Sequence, residues 1–168
     1  MATNKLDPFV NSCSSHTFSG EGCLHLSIRK FANSCEFIMS VTGKFELLKS
    51  ENFDEYLKAA GVNALKRGAA ALAKPTIEIS EAGGVYTLKT LSTFKDTVIS
   101  FKLGEEFDET TADVRQCKTV IVKDGNKLIQ TQKIDPDEST TIREFSDTEM
   151  KATFTTKGVT ATRVYKRV

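Results

Sequence analysis

Tryptophan is missing from the 168 residues, and only three prolines interrupt them. No run of 18 apolar residues occurs, so a membrane-spanning helix is not expected. Neither charge sign dominates. Against 23 basic side chains stand 22 acidic ones, a net charge of +1 that gives no reason to expect a nucleic-acid partner. Both histidines, His16 and His25, lie near the start, so the rest of the chain lacks the side chain that most often moves protons in catalysis. With no activated nucleophile or acid–base pair elsewhere, an enzyme is not expected.

Cysteine is too scarce for a disulfide framework: of Cys13, Cys23, Cys35 and Cys117, only the last lies beyond residue 40. A single thiol in the body suits a reducing compartment. The start also offers no basic stretch followed by a clean apolar one, so a cytoplasmic protein is expected. Cys117 then reads as a packing or surface thiol. Cys13, His16, Cys23 and His25 can be written as four metal ligands, but their spacing matches no zinc pattern, and neither a metal nor a cofactor is expected.

What the chain has in quantity is strand composition: Thr, Val, Ile and Phe crowd its C-terminal two thirds. Residues 1–38 differ. Seven of the first 40 residues are serine and no strict period runs through them, which predicts a disordered or loosely attached extension. Met39 offers an alternative start that leaves 130 residues. From Gly43 the pattern tightens, and 44–49 alternates apolar and charged positions as a half-buried strand does. Ser50 and Asn52 are candidate N-caps for a short helix on which Phe53, Tyr56, Leu57 and Ala60 recur along one side. Gly61 ends it. Asn63 caps a second helix with an apolar side of Leu65, Ala69 and Leu72, closed by Lys74 and Pro75.

Beyond Pro75 no helical period remains. Turn signals divide the sequence into strands at 76–82, 85–91, 95–103, 106–111, 115–123, 127–134, 139–146, 149–156 and 159–167. With the first strand that makes ten. Their even spacing predicts an all-β fold: a ten-stranded antiparallel up-and-down β-barrel over residues 39–168, lidded by the helix-turn-helix, since closure disposes of exposed strand edges. The strand at 127–134 carries Leu128, Gln130 and Gln132 on one face and Ile129, Thr131 and Lys133 on the other. A partly polar internal cavity accepts such a strand more easily than a solid core does.

On the last strand Arg163 and Tyr165 point the same way, two residues apart, and make a fork of donors suited to one carboxylate. Arg143 shares a face with Thr141 and Phe145. Alternation alone does not say which face is inside, and Val164 could be the inward residue instead. Two buried guanidinium groups without an anion would cost several kcal/mol, so an inward pair implies an anionic ligand, a fatty acid held by its head. Lys58, Lys66, Arg67 and Lys74 on the helices, with Lys95 nearby, make either a surface steered toward anionic membranes or an ordinary solvated helix face.

The residues resemble the intracellular fatty-acid-binding proteins, a family of ten-stranded barrels with a helix-turn-helix lid. The family's N-terminal signature is met by Gly43-Lys44-Phe45-Glu46-Leu47 and Asn52-Phe53-Asp54-Glu55-Tyr56-Leu57. The resemblance continues through 88–95, 101–113, Ile142-Arg143-Glu144 and Arg163-Val164-Tyr165, and it covers residues 41–168. The closing Lys166-Arg167-Val168 is similar to arthropod members, mite allergens among them. The resemblance implies that the face with Arg163 and Tyr165 is inward and that Arg143 joins them in binding a ligand carboxylate. By the same resemblance Phe53, Leu57, Ile77, Thr90, Asp113, Ala152 and Phe154 line the cavity, and Arg67, Ala69, Phe94 and Lys95 surround its portal. Some members have threonine where Ile77 stands, which puts the water network around the tail in doubt. The implied protein is a monomeric, non-catalytic carrier of a long-chain fatty acid. Retinoic acid or another anionic hydrophobic ligand is the alternative, and a structural role in packed membranes is a third reading.

Overall fold

The computed structural model describes residues 40–93 and 95–168. The expectations placed on residues 1–38, on Met39, on the Cys13, His16, Cys23 and His25 set and on Phe94 lie outside the described residues. Ten strands and two helices follow one another: β1 (Gly43–Glu51), α1 (Phe53–Ala59), α2 (Ala64–Leu72), β2 (Thr76–Ala82), β3 (Val85–Leu91), β4 (Thr97–Lys102), β5 (Glu106–Thr110), β6 (Gln116–Asp124), β7 (Lys127–Ile134), β8 (Asp137–Phe145), β9 (Glu149–Thr156) and β10 (Val159–Arg167).

The strands form one antiparallel sheet in the order β4-β3-β2-β1-β10-β9-β8-β7-β6-β5. Tight turns make this order, because strands joined by two residues have no choice but to pair with each other. The Lys157-Gly158 turn is an example: both residues take positive φ, 47° and 76°, the conformation that lets a two-residue loop follow the twist of the strands. The first and last strands also pair, with Phe45 opposite Arg167 and Leu47 opposite Tyr165. The barrel is nearly closed rather than fully closed. Its edges are β4 and β5, which share no ladder among the described residues.

Inward positions alternate as a half-buried strand requires. On β10 Ala161, Arg163 and Tyr165 are buried while Thr162 and Val164 are only partly so, which removes the choice that alternation had left open. One end of the interior is solid: Phe45, Ile121, Leu128, Phe145 and Met150 are almost wholly buried there, and the Phe45 and Phe145 rings meet edge-on at 5.6 Å. Arg167 closes this end over the Phe45 ring, 4.7 Å from its centroid, and donates to the carbonyls of Ser40, Thr42 and Ser146. Gly43 takes φ 142°, a conformation that side-chain-bearing residues rarely adopt, and a Cβ there would also meet Arg167 Nη1 at 2.5 Å.

Several boundaries and one helix face differ from expectation. Lys95 and Asp96 belong to the β3–β4 turn, because Asp96 Oδ1 accepts the Ser92 amide at 2.8 Å and folds the chain back before the strand starts. Asn52 precedes α1 but does not cap it with its side chain: it sits at φ 57° and its amide donates instead to the Thr160 carbonyl, 2.7 Å away, tying the helix to β10. Asn63 does cap α2, accepting from the Lys66 amide at 2.9 Å. The apolar side expected on α2 faces solvent: Leu65 is 87% and Leu72 86% exposed. The interior instead meets Lys66, Ala70 and Ala73, small or flexible side chains that leave space beneath the helix.

Candidate functional site

Between the solid end of the barrel and the helices lies a cavity of about 260 Å³. Its walls include Phe53, Leu57, Ile77, Thr90, Asp113 and Phe154, together with Tyr56, Val62 and Ile134. Ala152 is not on the wall. It is fully buried on β9, where its partners across the two ladders are Arg143 of β8 and Arg163 of β10. A methyl group at this position lets two guanidinium groups from strands on either side extend inward over it. Tyr165 lies one inward step further along β10.

These three side chains are deeply buried: Arg143 is 8%, Arg163 7% and Tyr165 2% exposed. Burial pushes the Tyr165 hydroxyl above its ordinary pKa against the pull of the Arg163 charge, so it is a neutral phenol. Burial lowers both arginines as well. A guanidinium starts so high that it keeps its charge. Arg163 Nε donates to Ser50 Oγ at 3.2 Å, and its guanidinium carbon lies 3.4 Å from the centroid of the Phe53 ring on α1. Ser50 thus sits within β1 beside the arginine rather than capping the helix.

Arg143 reaches a carboxylate that the sequence reading did not single out. Its Nη1 donates to Gln130 Oε1 at 2.8 Å, and Gln130 Nε2 donates to Glu109 Oε2 at 3.0 Å. Thr119 donates to the same oxygen at 2.8 Å. Glu109 thus supplies a resident anion one side chain away from Arg143, beside the anionic ligand that the sequence implies. Alternation held the signal, since Phe107 and Glu109 share the inward face of β5 while Glu106, Asp108 and Thr110 are exposed. Arg143 Nε is buried with no hydrogen-bond partner.

Toward the helices the side chains hold the lid. Lys66 donates to the Asp113 carbonyl at 2.8 Å, and Arg115 bridges Asp113 Oδ2 at 2.7 Å and the Ala60 carbonyl at 2.7 Å. Thr111 donates to Asp113 Oδ1. Burial would raise the Asp113 pKa, but the Thr111 hydrogen bond and the Arg115 charge outweigh it and hold the carboxyl below its ordinary range. Of the residues expected at a portal, Lys95 is at the cavity wall, whereas Arg67 and Ala69 are not. Arg67 turns back within the lid to Asp54 Oδ1 at 3.0 Å and to the Val62 carbonyl. Ala70, one residue on, takes the place expected for Ala69. Lys58, Lys74 and Lys95 stay exposed. Cys117 is a buried thiol that donates to the Glu109 carbonyl, with its pKa pushed up by burial.

Among the described residues no helix is long and apolar enough to cross a membrane. Residues 42–168 match the Lipocalin / cytosolic fatty-acid binding protein family. The chain belongs to this family. Its members are carriers rather than enzymes, and so is this chain. It is 50% identical over 129 residues to a fatty acid-binding protein of the mite Lepidoglyphus destructor, which spans 76% of this chain and 98% of the relative. A fatty acid-binding protein of Tyrophagus putrescentiae is 47% identical over 131 residues, 77% of this chain and 99% of the relative. Among solved structures, a Schistosoma mansoni fatty acid binding protein in complex with arachidonic acid superposes with a TM-score of 0.75 at 40% identity, covering 78% of this chain and 98% of that one. The fatty-acid-binding protein from brain tissue of Drosophila melanogaster gives 0.72 at 51% identity, over 76% and 99% of the two chains.

Proposed function

We propose that the protein is a cytosolic carrier of one long-chain fatty acid, with the carboxylate held by Arg163 and Tyr165, assisted by Arg143, and the acyl chain along the apolar wall. The observation that carries this reading is the burial of two arginines and a neutral tyrosine at the foot of a cavity whose wall sets apolar side chains such as Phe53, Leu57, Ile77 and Phe154 among polar ones. Arginine suits the task because its planar fork meets both oxygens of a carboxylate and does not lose its proton in a dry site. Tyr165 adds a neutral donor beside it. An alcohol or aldehyde would leave these donors poorly matched, which favours a free acid.

The tail supplies most of the affinity. At about 0.8 kcal/mol per buried methylene, a chain of roughly a dozen gains near 10 kcal/mol before the loss of chain freedom is subtracted. Named fatty acid-binding relatives of about half-identical sequence support the acyl class. We place the binding activity in residues 39–168, acting as a monomer. Exposed Lys58, Lys74 and Lys95, beside the exposed Leu65 and Leu72, favour transient contact of the lid with anionic membranes.

Extraction of ligand from purified protein followed by mass spectrometry tests the reading, together with titration of the delipidated protein with oleate and with retinoic acid. Linear acyl acids in the extract and tighter binding of oleate support it. A retinoid, or no saturable binding of either acid, overturns it.

A further inference from the structure

The foot of the cavity contains two buried cations, Arg143 and Arg163, and one carboxylate, Glu109. Glu109 is not a stray surface group. Its Oε2 accepts from Thr119, which is fully buried, and from Gln130, which is 3% exposed and passes the contact on to Arg143. The other charged groups on the wall lie toward the lid and are accounted for there: Asp113 pairs with Arg115, Lys66 sits on the Asp113 carbonyl, and Lys95 is exposed at the mouth. The head-group end therefore has an excess of one positive charge, not two.

We infer that Glu109 sets the charge of the head group the cavity accepts, cancelling one arginine through Gln130 so that a single carboxylate fits and a doubly charged head is rejected. The inference rests on the acid-carrier reading above. A second negative charge on the ligand head would meet a fixed carboxylate in a poorly solvated site, where like charges repel strongly. It would also find Arg143 already engaged on one of its nitrogens. The two arginines are then unequal: Arg163 with Tyr165 is the anchor, and Arg143 is a partly neutralised neighbour. Heads to which the rule applies include geminal diacids and alkyl phosphates in their doubly ionised form.

The test compares palmitate with tetradecylmalonate at about pH 8, where all their carboxyls are ionised, on the delipidated wild type and on Glu109→Gln. Glutamine keeps the length of the side chain and an oxygen for Thr119, so the substitution removes charge more than shape. The wild type is expected to prefer palmitate by about tenfold or more, and the variant to lose most of that preference by tightening on the malonate. An unchanged preference in a folded variant overturns the inference while leaving the carrier reading intact. Should the variant not fold, equal wild-type affinity for the two ligands overturns the inference, and a tenfold preference supports it. Wild type that binds neither sinks the carrier reading and this inference with it.

Discussion

At the foot of the cavity, Arg143, Ala152 and Arg163 occupy adjacent strands, each locked by hydrogen bonds on both sides, and the side chains beneath them are buried to the last few per cent. The lid is built differently. Helix α2 has no buried side chain and is held by contacts such as Lys66 to the Asp113 carbonyl, while Arg115 holds the Ala60 carbonyl at the end of α1. The foot is fixed by ladder register and packing and α1 by its rings on Phe154, whereas α2 is held by a few polar contacts near solvent. The contrast fits a binding protein: the groups that recognise a head must not move, while the groups that admit a tail must.

Breaking the packed region should have the largest effect. Phe45→Ala removes a fully buried ring beneath the arginines and is expected to lower stability by about 3–5 kcal/mol in urea unfolding. A loss below about 1 kcal/mol would show that this end is not the core. Arg163→Gln should cut oleate affinity by about a hundredfold, roughly 2–3 kcal/mol, and leave the apo Tm unchanged or higher, because it also relieves a desolvated charge. Weaker binding accompanied by a collapsed Tm would mean that the arginine serves the fold instead.

Effects at the lid should be smaller and kinetic. Arg115→Ala is expected to cost less than about 1 kcal/mol of stability, since the pair with Asp113 is part-exposed, but to speed oleate release several-fold in stopped flow. An unchanged release rate would remove Arg115 from the latch. Acid should act at the same point. The Asp113 carboxyl is held below its ordinary range, so its contribution is complete above the unfolded value and fades as pH falls through the lower folded one. Oleate release is therefore expected to be flat from neutral pH to about pH 4 and to quicken below it. Release that accelerates between about pH 7 and 5 would point to another group.

Much of this was legible in the sequence, for a physical reason. Turns such as Gly83-Gly84 and Lys157-Gly158 announce themselves through glycines, which tolerate positive φ, and period two places Arg143, Arg163 and Tyr165 on shared faces. The face itself was not legible from alternation, because a barrel with a polar cavity blurs inside and outside. Glu109 was hidden for the same reason: a glutamate on a strand rich in acids reads as solvent-facing until its neighbour Phe107 is seen to be inward. The orientation of α2 could not be read either, since Leu65 and Leu72 form an apolar stripe that burial would ordinarily claim. Asn52 misled through its type, as a residue suited to capping spends its amide on the Thr160 carbonyl instead.

The central claim is that a positive, desolvated pocket selects an acid head, and the most direct measurement is calorimetric titration of delipidated protein with oleate and with oleyl alcohol. The two share a tail and differ at the head. The expected result is a preference for oleate of about a hundredfold. Equal affinity would contradict the account, because the tail alone would then explain binding.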